Sequence, residues 1–541
     1  FCEMNIVQLV TKNASFLLAI SVVAGLLAGL GGAALIALIN WTLNSPDLTA
    51  SDIIVFYVAM CVLVPVFRLF SATLLFKLSQ RIAFELRMRL SQRIMAAPLR
   101  HLEEVGSHKL FVALSDDVTV ISNGVINIPV VTIHLSVLLG CIAYVGYLSM
   151  PLLLLMLLAI AVGVIIYLVL MAKANHSFRV ARELQNDLFK HFKELTDGIK
   201  ELKLHQRRAD CFTNDVLATS AENVRYHTSA GMTTYAAASS FGQVLLFLFI
   251  GLPIFKFGGM LDIDTEVIAG SVLAALYMMG SLEVIVNAFP AFGRANIALQ
   301  NFEKLGLSLA EEPTEQMRKG TQNANWQRLE VDRVFFRYPS KDDKSGFAVG
   351  PITLQLSPGE IVFVTGGNGA GKTTFIKLLT GLYPPETGQI RLDNEVIGDD
   401  NRLSYRQHFS AIFFDFHLFD QLLGIDSVSS KERIQEYLGI LQLRDKVSIR
   451  EGALSSTELS QGQRKRLALL TAYLEDRSIY LFDEWAADQD PAFREVFYSK
   501  LLPELKSRGK TVVVISHDDR YFSAADRVIK LEEGRLCAPL N

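Results

Sequence analysis

The sequence predicts a membrane domain of six helices followed by a soluble α/β domain built around a phosphate-binding loop. Three observations carry this. Six apolar segments lie within the first 300 of 541 residues, each long enough to cross ~30 Å of hydrocarbon. The stretch IVFVTGGNGAGKTTFIKLLTGL (361–382) joins a short apolar run to a helical pattern through a glycine-rich loop. SIYLFDE (478–484) is a second apolar run, and it ends in two adjacent carboxylates.

The six segments run roughly 16–39, 53–76, 126–149, 150–171, 233–255 and 265–290. LLAGLGGAALIA (26–37) is rich in small residues, which let a neighbouring helix approach closely. Half the residues are apolar and mean hydropathy is +0.30, high for a soluble chain. The apolar excess is confined to residues 1–300. The first run is too long for a signal-peptide core and more spans follow it, so it is expected to be retained.

Charge sets the orientation. Seven Lys/Arg lie between Lys77 and Asp116 and ten between Lys173 and Arg225, whereas the connection TLNSPDLTASD has none. The positive-inside bias places both long basic connections, both termini and the soluble domain in the cytoplasm. FELRMRLSQRIM (84–95) and 181–208 carry apolar residues at helical spacing, among them Leu86, Leu90 and Ile94, and Leu184, Leu188 and Leu195. Both are expected to continue their spans as helices into the cytoplasm, with turns near 103–112 and 197–207 as candidate contacts to the soluble domain. Expected boundaries are 1–310 for the membrane domain, 311–325 for a linker and 326–541 for the nucleotide-binding domain.

A net charge of -3 excludes an electrostatic case for a nucleic-acid partner. Cys2, Cys61, Cys141, Cys211 and Cys537 are scattered without metal-ligand spacing and are expected to be free thiols.

Gly366, Gly371, Lys372 and Thr373 satisfy G-x-x-x-x-G-K-[ST] in the strand–loop–helix setting the motif requires. Gly366, Asn368, Gly369, Ala370 and Gly371 would wrap backbone N–H groups around phosphate oxygens, with Thr374 in the helix start. Lys372 is expected to reach the β and γ phosphates of ATP, and Thr373 to reach Mg²⁺. Asp483 closes the second strand and can hold the same metal, and Glu484 can polarise an attacking water. TVVVISHDD (511–519) is a third apolar strand, whose tip offers His517 as a γ-phosphate sensor. STELSQGQRKRLALLTAYL (456–474) reads as a helix capped by Ser460, with a basic solvated face. Gly462 and Gln463 in its first turn suit a phosphate carried by another molecule.

Together these motifs resemble an ABC transporter half-subunit of the exporter type: a six-helix transmembrane exporter domain followed by an α/β P-loop NTPase (ABC ATPase) domain. LSQGQ (459–463) is similar to the signature LSGGQ. The resemblance implies Walker A roles for Lys372 and Thr373, Walker B for Asp483, the catalytic base for Glu484, the D-loop for Asp490 and the switch histidine for His517. It implies that Tyr338 in VFFRYP stacks on adenine. It further implies head-to-tail homodimers, with ATP between Lys372 of one copy and Ser460 of the other. The family's glutamine after the next strand is missing: SAIFFDFHLFD (410–420) has Phe414 there, then Asp415. Either Asp415 substitutes at the metal or the metal lacks that ligand.

DEWAADQDP, ISHDDRYF, FDQLLG and the glutamine-less loop resemble the cyclic-peptide and siderophore-peptide exporters of Gram-negative bacteria, a family associated with pyoverdine-type precursors, lipopeptides and microcin-like peptides. The resemblance implies export of a peptide across the inner membrane, with a periplasmic or outer-membrane protein as a candidate partner. The alternative is an exporter of lipid or amphipathic, drug-like molecules. Arg68 and Glu283 are intramembrane charges and therefore candidate functional groups; Glu283 would meet a cationic cargo or an internal cation, or else serve helix packing. Tyr144, Tyr277 and Phe289 are candidate cavity-lining aromatics.

Overall fold

A computed structural model of the chain describes residues 6–44, 51–252, 254–255, 264–304, 326–338, 346–426 and 430–537. The expected linker, 311–325, lies outside them, as do most of the two short connections, 45–50 and 256–263. The chain forms two compact units. One is Phe1–Ala96 with Val105–Glu312, and the other is Ala97–Glu104 with Pro313–Asn541.

The first unit holds six long helices: Ile6–Asn44, Ser51–Ala96, Val118–Leu148, Met150–Asp197, Ala218–Leu252 and Thr265–Lys304. All six expected spans lie on them, and each is apolar enough to cross a membrane. Two are far longer than a membrane crossing requires, as the helical spacing within 84–95 and 181–208 predicts. Ser51–Ala96 has 46 residues and Met150–Asp197 has 48, about 70 Å each at 1.5 Å per residue. Small polar residues tie the helices where backbones come close. Ser21 Oγ lies 3.1 Å from Ser71 Oγ, and Ser79 Oγ lies 2.6 Å from Ser122 Oγ. These hydroxyls also bond carbonyls of the facing helix, so no polar atom of the pairs is stranded in an apolar setting. Cys61, Cys141, Cys211 and Cys537 are free, and Cys2 lies outside the described residues.

The second unit is built on a six-stranded sheet. Its order is Arg535–Leu536, Arg527–Glu532, Ile361–Thr365, Thr511–Ile515, Ile479–Asp483, Phe409–Ile412. The last five strands pair in parallel. Helices cover both faces of such a sheet, so its strands read as unbroken apolar runs: IVFVT, TVVVI and IYLFD are buried at every position. A second, four-stranded antiparallel sheet contains Leu329–Arg337 and Ala348–Leu356.

Register decides what meets at the sheet's carboxyl edge. Ile515 lies opposite both Val364 and Asp483. The loops after these three strands, carrying Gly366, Glu484 and His517, therefore emerge side by side. Ligands of open α/β sheets bind at this edge.

Candidate functional site: a nucleotide-binding centre

Gly366 and Gly371 are required by geometry. Both have positive φ, 150° and 96°. A Cβ on Gly366 would sit 2.2 Å from the Leu531 carbonyl oxygen, and one on Gly371 would sit 2.7 Å from Val349. The loop can hold its turn only without side chains there. Asn368 and Gly369 are exposed at its tip, whereas Ala370 is buried and its carbonyl accepts from the Gly534 N–H at 3.0 Å. Gly371 leads into the helix Lys372–Leu379, whose free N–H groups and positive end favour an anion. Lys372 is buried. Its Nζ donates to the carbonyls of Gly366 and Gly367 at 3.0 and 3.1 Å and lies 3.8 Å from Glu484 Oε1.

Thr373 Oγ1 donates to Asp483 Oδ2 at 3.1 Å. Asp483 is 3% exposed. Burial pushes its carboxyl above the ordinary value of 3.8, opposed by the Thr373 hydroxyl and assisted by the neighbouring Glu484 charge. A hydroxyl and a desolvated carboxylate, adjacent and both hard oxygen donors, fit a magnesium ion, which supplies the compensating charge that Asp483 lacks. The raised value has a consequence for stability. The folded state binds the Asp483 proton more tightly than the unfolded chain, so stability of the nucleotide-free protein falls as pH rises from about 3.8 through the raised value. Near neutral pH, Asp483→Asn is expected to raise the melting temperature of the nucleotide-free protein. It is also expected to abolish the further rise that Mg²⁺ and ATP give the wild type. A pH series of thermal melts checks both, and a lower nucleotide-free melting temperature for the variant would contradict the burial argument.

Glu484 occupies the left-handed region at φ 50°, a conformation costly for a side chain of this kind and typical of functional turns. Its N–H donates to the Ile515 carbonyl at 3.2 Å. Its Oε1 lies 3.0 Å from His517 Nε2. Lys372, Thr373, Asp483, Glu484 and His517 thus converge as the motifs predict, from three strand ends.

Ser460 caps the helix Gln461–Glu475 as expected. Its Oγ accepts from the Gln463 N–H at 3.4 Å, and Gln463 Oε1 accepts from the Ser460 N–H at 3.2 Å, a reciprocal capping box. The expected solvated basic face is corrected by the structure: Lys465 is 0% and Arg466 8% exposed. Lys465 Nζ donates to the Glu484 carbonyl at 2.9 Å and pairs with Asp488 at 2.7 Å. Arg466 pairs with Asp490 and donates to Gln489 at 2.8 Å. Helical spacing marks the inward face: Lys465, Leu469 and Ala472 are one stripe. The reason for Gly462 is also structural, since a Cβ there would meet the Asp488 carbonyl oxygen at 2.8 Å. Gln461, the departure from LSGGQ, donates to Asp488 Oδ2 at 3.1 Å. The signature segment and the loop 485–490 are therefore one bonded unit. Asp490 caps the helix Pro491–Val496. The Phe493 N–H, and then Arg466, hold its carboxyl below the usual range.

Tyr338 closes the strand Leu329–Arg337, its hydroxyl 3.1 Å from Thr374 Oγ1, which brings an aromatic face next to the phosphate-loop helix. Asp415 is exposed and makes no hydrogen bond or ion pair among the described residues. The Phe414 backbone N–H, not the Asp415 carboxylate, reaches Asp483. Glu103 lies at the start of the turn 103–112 that the sequence offers as a contact to the soluble domain, though the sequence assigns no role to the residue itself. Residues 97–104 belong to the ATPase unit. Leu99 packs on its core, and Arg100 sits 5.1 Å over the Phe336 ring. Glu103 pairs with Lys377 at 2.7 Å and accepts from the Tyr383 hydroxyl. Lys377 is on the helix that begins at the phosphate loop. In the membrane unit, Arg68 and Tyr277 line one cavity and Glu283 lines another, while Tyr144 packs on a helix-pair core. The Phe289 side chain lies outside the described set.

Comparison with known proteins agrees with this geometry. Residues 15–282 match the family model described as ABC transporter transmembrane region, and residues 349–487 match the one described as ABC transporter. The chain is 36% identical to the "ATP-binding protein SyrD" of Pseudomonas syringae pv. syringae, over 99% of this chain and 96% of that one. It is 25% identical to the "ATP-dependent lipid A-core flippase" of Alkalilimnicola ehrlichii, over 84% and 79%. It is 31% identical to the "Macrolide export ATP-binding/permease protein MacB" of Chromobacterium violaceum, over 38% and 34%. With six spans, an assembled ATP site and full-length similarity, the chain belongs to the ABC transporters, as an inner-membrane exporter whose membrane domain is fused to a cytoplasmic ATP hydrolase domain.

Proposed function

We propose that this exporter moves a peptide, cyclic, modified or siderophore-related, out across the inner membrane as a homodimer. The observation that carries the cargo class is the motif set DEWAADQDP, ISHDDRYF and FDQLLG in a chain similar over its whole length to SyrD. ATP sits between the phosphate loop of one copy, with Tyr338 against adenine, and Ser460, Gly462 and Gln463 of the other. Lys372 neutralises phosphate charge. Thr373 and Asp483 would hold Mg²⁺, which when bound would supply charge neutralisation at the phosphate oxygens. Asp415 remains a candidate for an outer contact to that metal. Glu484 takes a proton from the attacking water while His517 holds the Glu484 carboxylate in place and meets the γ phosphate. Because ATP bridges the two copies, binding favours closure and hydrolysis removes the bridging contacts.

Glu103 connects that cycle to the membrane domain through the chain, since the helix Ser51–Ala96 leads directly into it. Glu103→Ala is expected to leave ATP affinity near wild type and to lower the cargo moved per ATP hydrolysed. Paired transport and phosphate-release assays check this, and an unchanged ratio would remove Glu103 from coupling.

The cargo test is ATP-dependent uptake into inverted vesicles, with panels of cyclic and linear peptides, lipids and drug-like compounds. Uptake of peptides is expected, and no uptake of any cyclic or modified peptide would overturn the cargo class. The second reading, lipid or drug export, is favoured by similarity to the lipid A-core flippase over 84% of the chain; uptake of lipid alone would select it.

A further inference from the structure

Helices Met150–Asp197, Ala218–Leu252 and Thr265–Lys304 line a half-open cavity of about 150 Å³. Its wall is largely apolar and includes Met156, Met278 and Met279. Thioether side chains adapt to differently shaped apolar bodies at little cost. Against this wall stand a few polar groups. Glu283 lies within the expected span 265–290, about two helical turns from its end, and lines the cavity. Among the described residues it has no ion pair or hydrogen bond. Glu283 is exposed on the cavity wall, and an ionisable residue within an apolar span is a candidate partner for a cation. Asn287 is one helical turn on and shares its face; its Oδ1 is occupied by the Tyr235 hydroxyl at 2.7 Å. The Tyr167 hydroxyl, on the same cavity, is buried without a partner among the described residues.

The geometry points to a binding site for a cationic amphiphile, with an ammonium or guanidinium group at Glu283 and an apolar body against the methionine-lined wall. A cationic head is all donor, and the Glu283 carboxylate and Tyr167 oxygen are free acceptors. The faces of Tyr167 and Tyr235 add attraction for the same charge. The site rests on the export reading and sharpens it: the cargo carries a positive group next to an apolar body.

The full-length protein in phosphatidylcholine nanodiscs, without nucleotide, tests the site with fluorescent dodecyl amine and dodecyl alcohol probes. Wild type is expected to bind the amine more tightly. Glu283→Gln is expected to weaken amine binding about tenfold or more, as for loss of a charge-assisted contact, and to leave the alcohol unchanged. Glu283→Asp should retain the preference, which separates loss of charge from misfolding. A Cβ on Gly242, also on the cavity wall, would meet nothing within 4 Å. Gly242→Leu therefore fits and should exclude both probes. Equal binding of amine and alcohol by wild type, an intact preference in Glu283→Gln, or undiminished binding to Gly242→Leu would each overturn the site. Vesicle uptake separates the two readings. Uptake of peptides without charge-selective binding sinks the site alone; charge-selective binding with no uptake of any cargo sinks the export of such cargo and leaves the site.

Discussion

Glu484→Gln is expected to lower steady-state ATP hydrolysis by about 10²–10⁴-fold, the usual contribution of a positioned general base, while ATP stays bound and the two copies stay closed. The amide keeps the size of the side chain and can still bond His517, now 3.0 Å away, but it cannot take a proton from water. Nothing else in the site is disturbed, because the turn is held by the Glu484 main chain. Its N–H is bonded to Ile515 and its carbonyl to Lys465. Lys372, 3.8 Å from the carboxylate, loses a charge partner and becomes freer to serve the phosphates, which favours retention of ATP. Phosphate release, trapped radiolabelled ATP and cross-linking of the dimer read the three consequences. Turnover at the wild-type rate would remove Glu484 from the role of base.

Trp485→Ala is expected to destabilise the ATPase domain by about 3–5 kcal/mol, the cost of emptying a fully buried large aromatic site. Trp485 is 0% exposed and stacks on Phe497, ring centroids 4.4 Å apart. Its Nε1–H donates to the Lys465 carbonyl at 2.9 Å. Trp485→Phe keeps much of the apolar contact and loses that hydrogen bond, so a smaller loss of about 0.5–1.5 kcal/mol follows. Thermal melts of the purified protein should rank wild type above Phe and Phe above Ala. The same bond ties the residue after the base to the signature helix, so hydrolysis should fall further than ATP affinity in both variants. An unchanged melting temperature for Trp485→Ala would show that the ring is not part of the core.

Much of the site was legible because its chemistry depends on local backbone. The phosphate loop needs glycines at fixed offsets between a buried strand and a helix, and GGNGAGKTT can satisfy that in few other ways. Asp483, Glu484 and His517 each follow an apolar run, and parallel strands flanking one another bring such ends together. Ser460 with Gln463 three residues on is a capping box readable from the chain alone. The reading failed where burial reversed the ordinary preference of a residue type. Lys465 and Arg466 look like surface charges, yet both face inward because Asp488, Asp490 and the Glu484 carbonyl wait there.

By itself, the sequence determined the six spans and the order of the ATP-site motifs, and it offered the groups proposed to meet the phosphates. Each of these follows from apolar length or from a motif a few residues long. Only the tertiary structure decided three further things. It gave Trp485 and Gly462 their reasons, it tied Glu103 to Lys377 and Tyr383, and it placed Glu283 and Tyr167 on the wall of one cavity. Those pairs are separated in the chain by tens to hundreds of residues, and the free energy of a buried charge or ring depends on neighbours that only folding supplies.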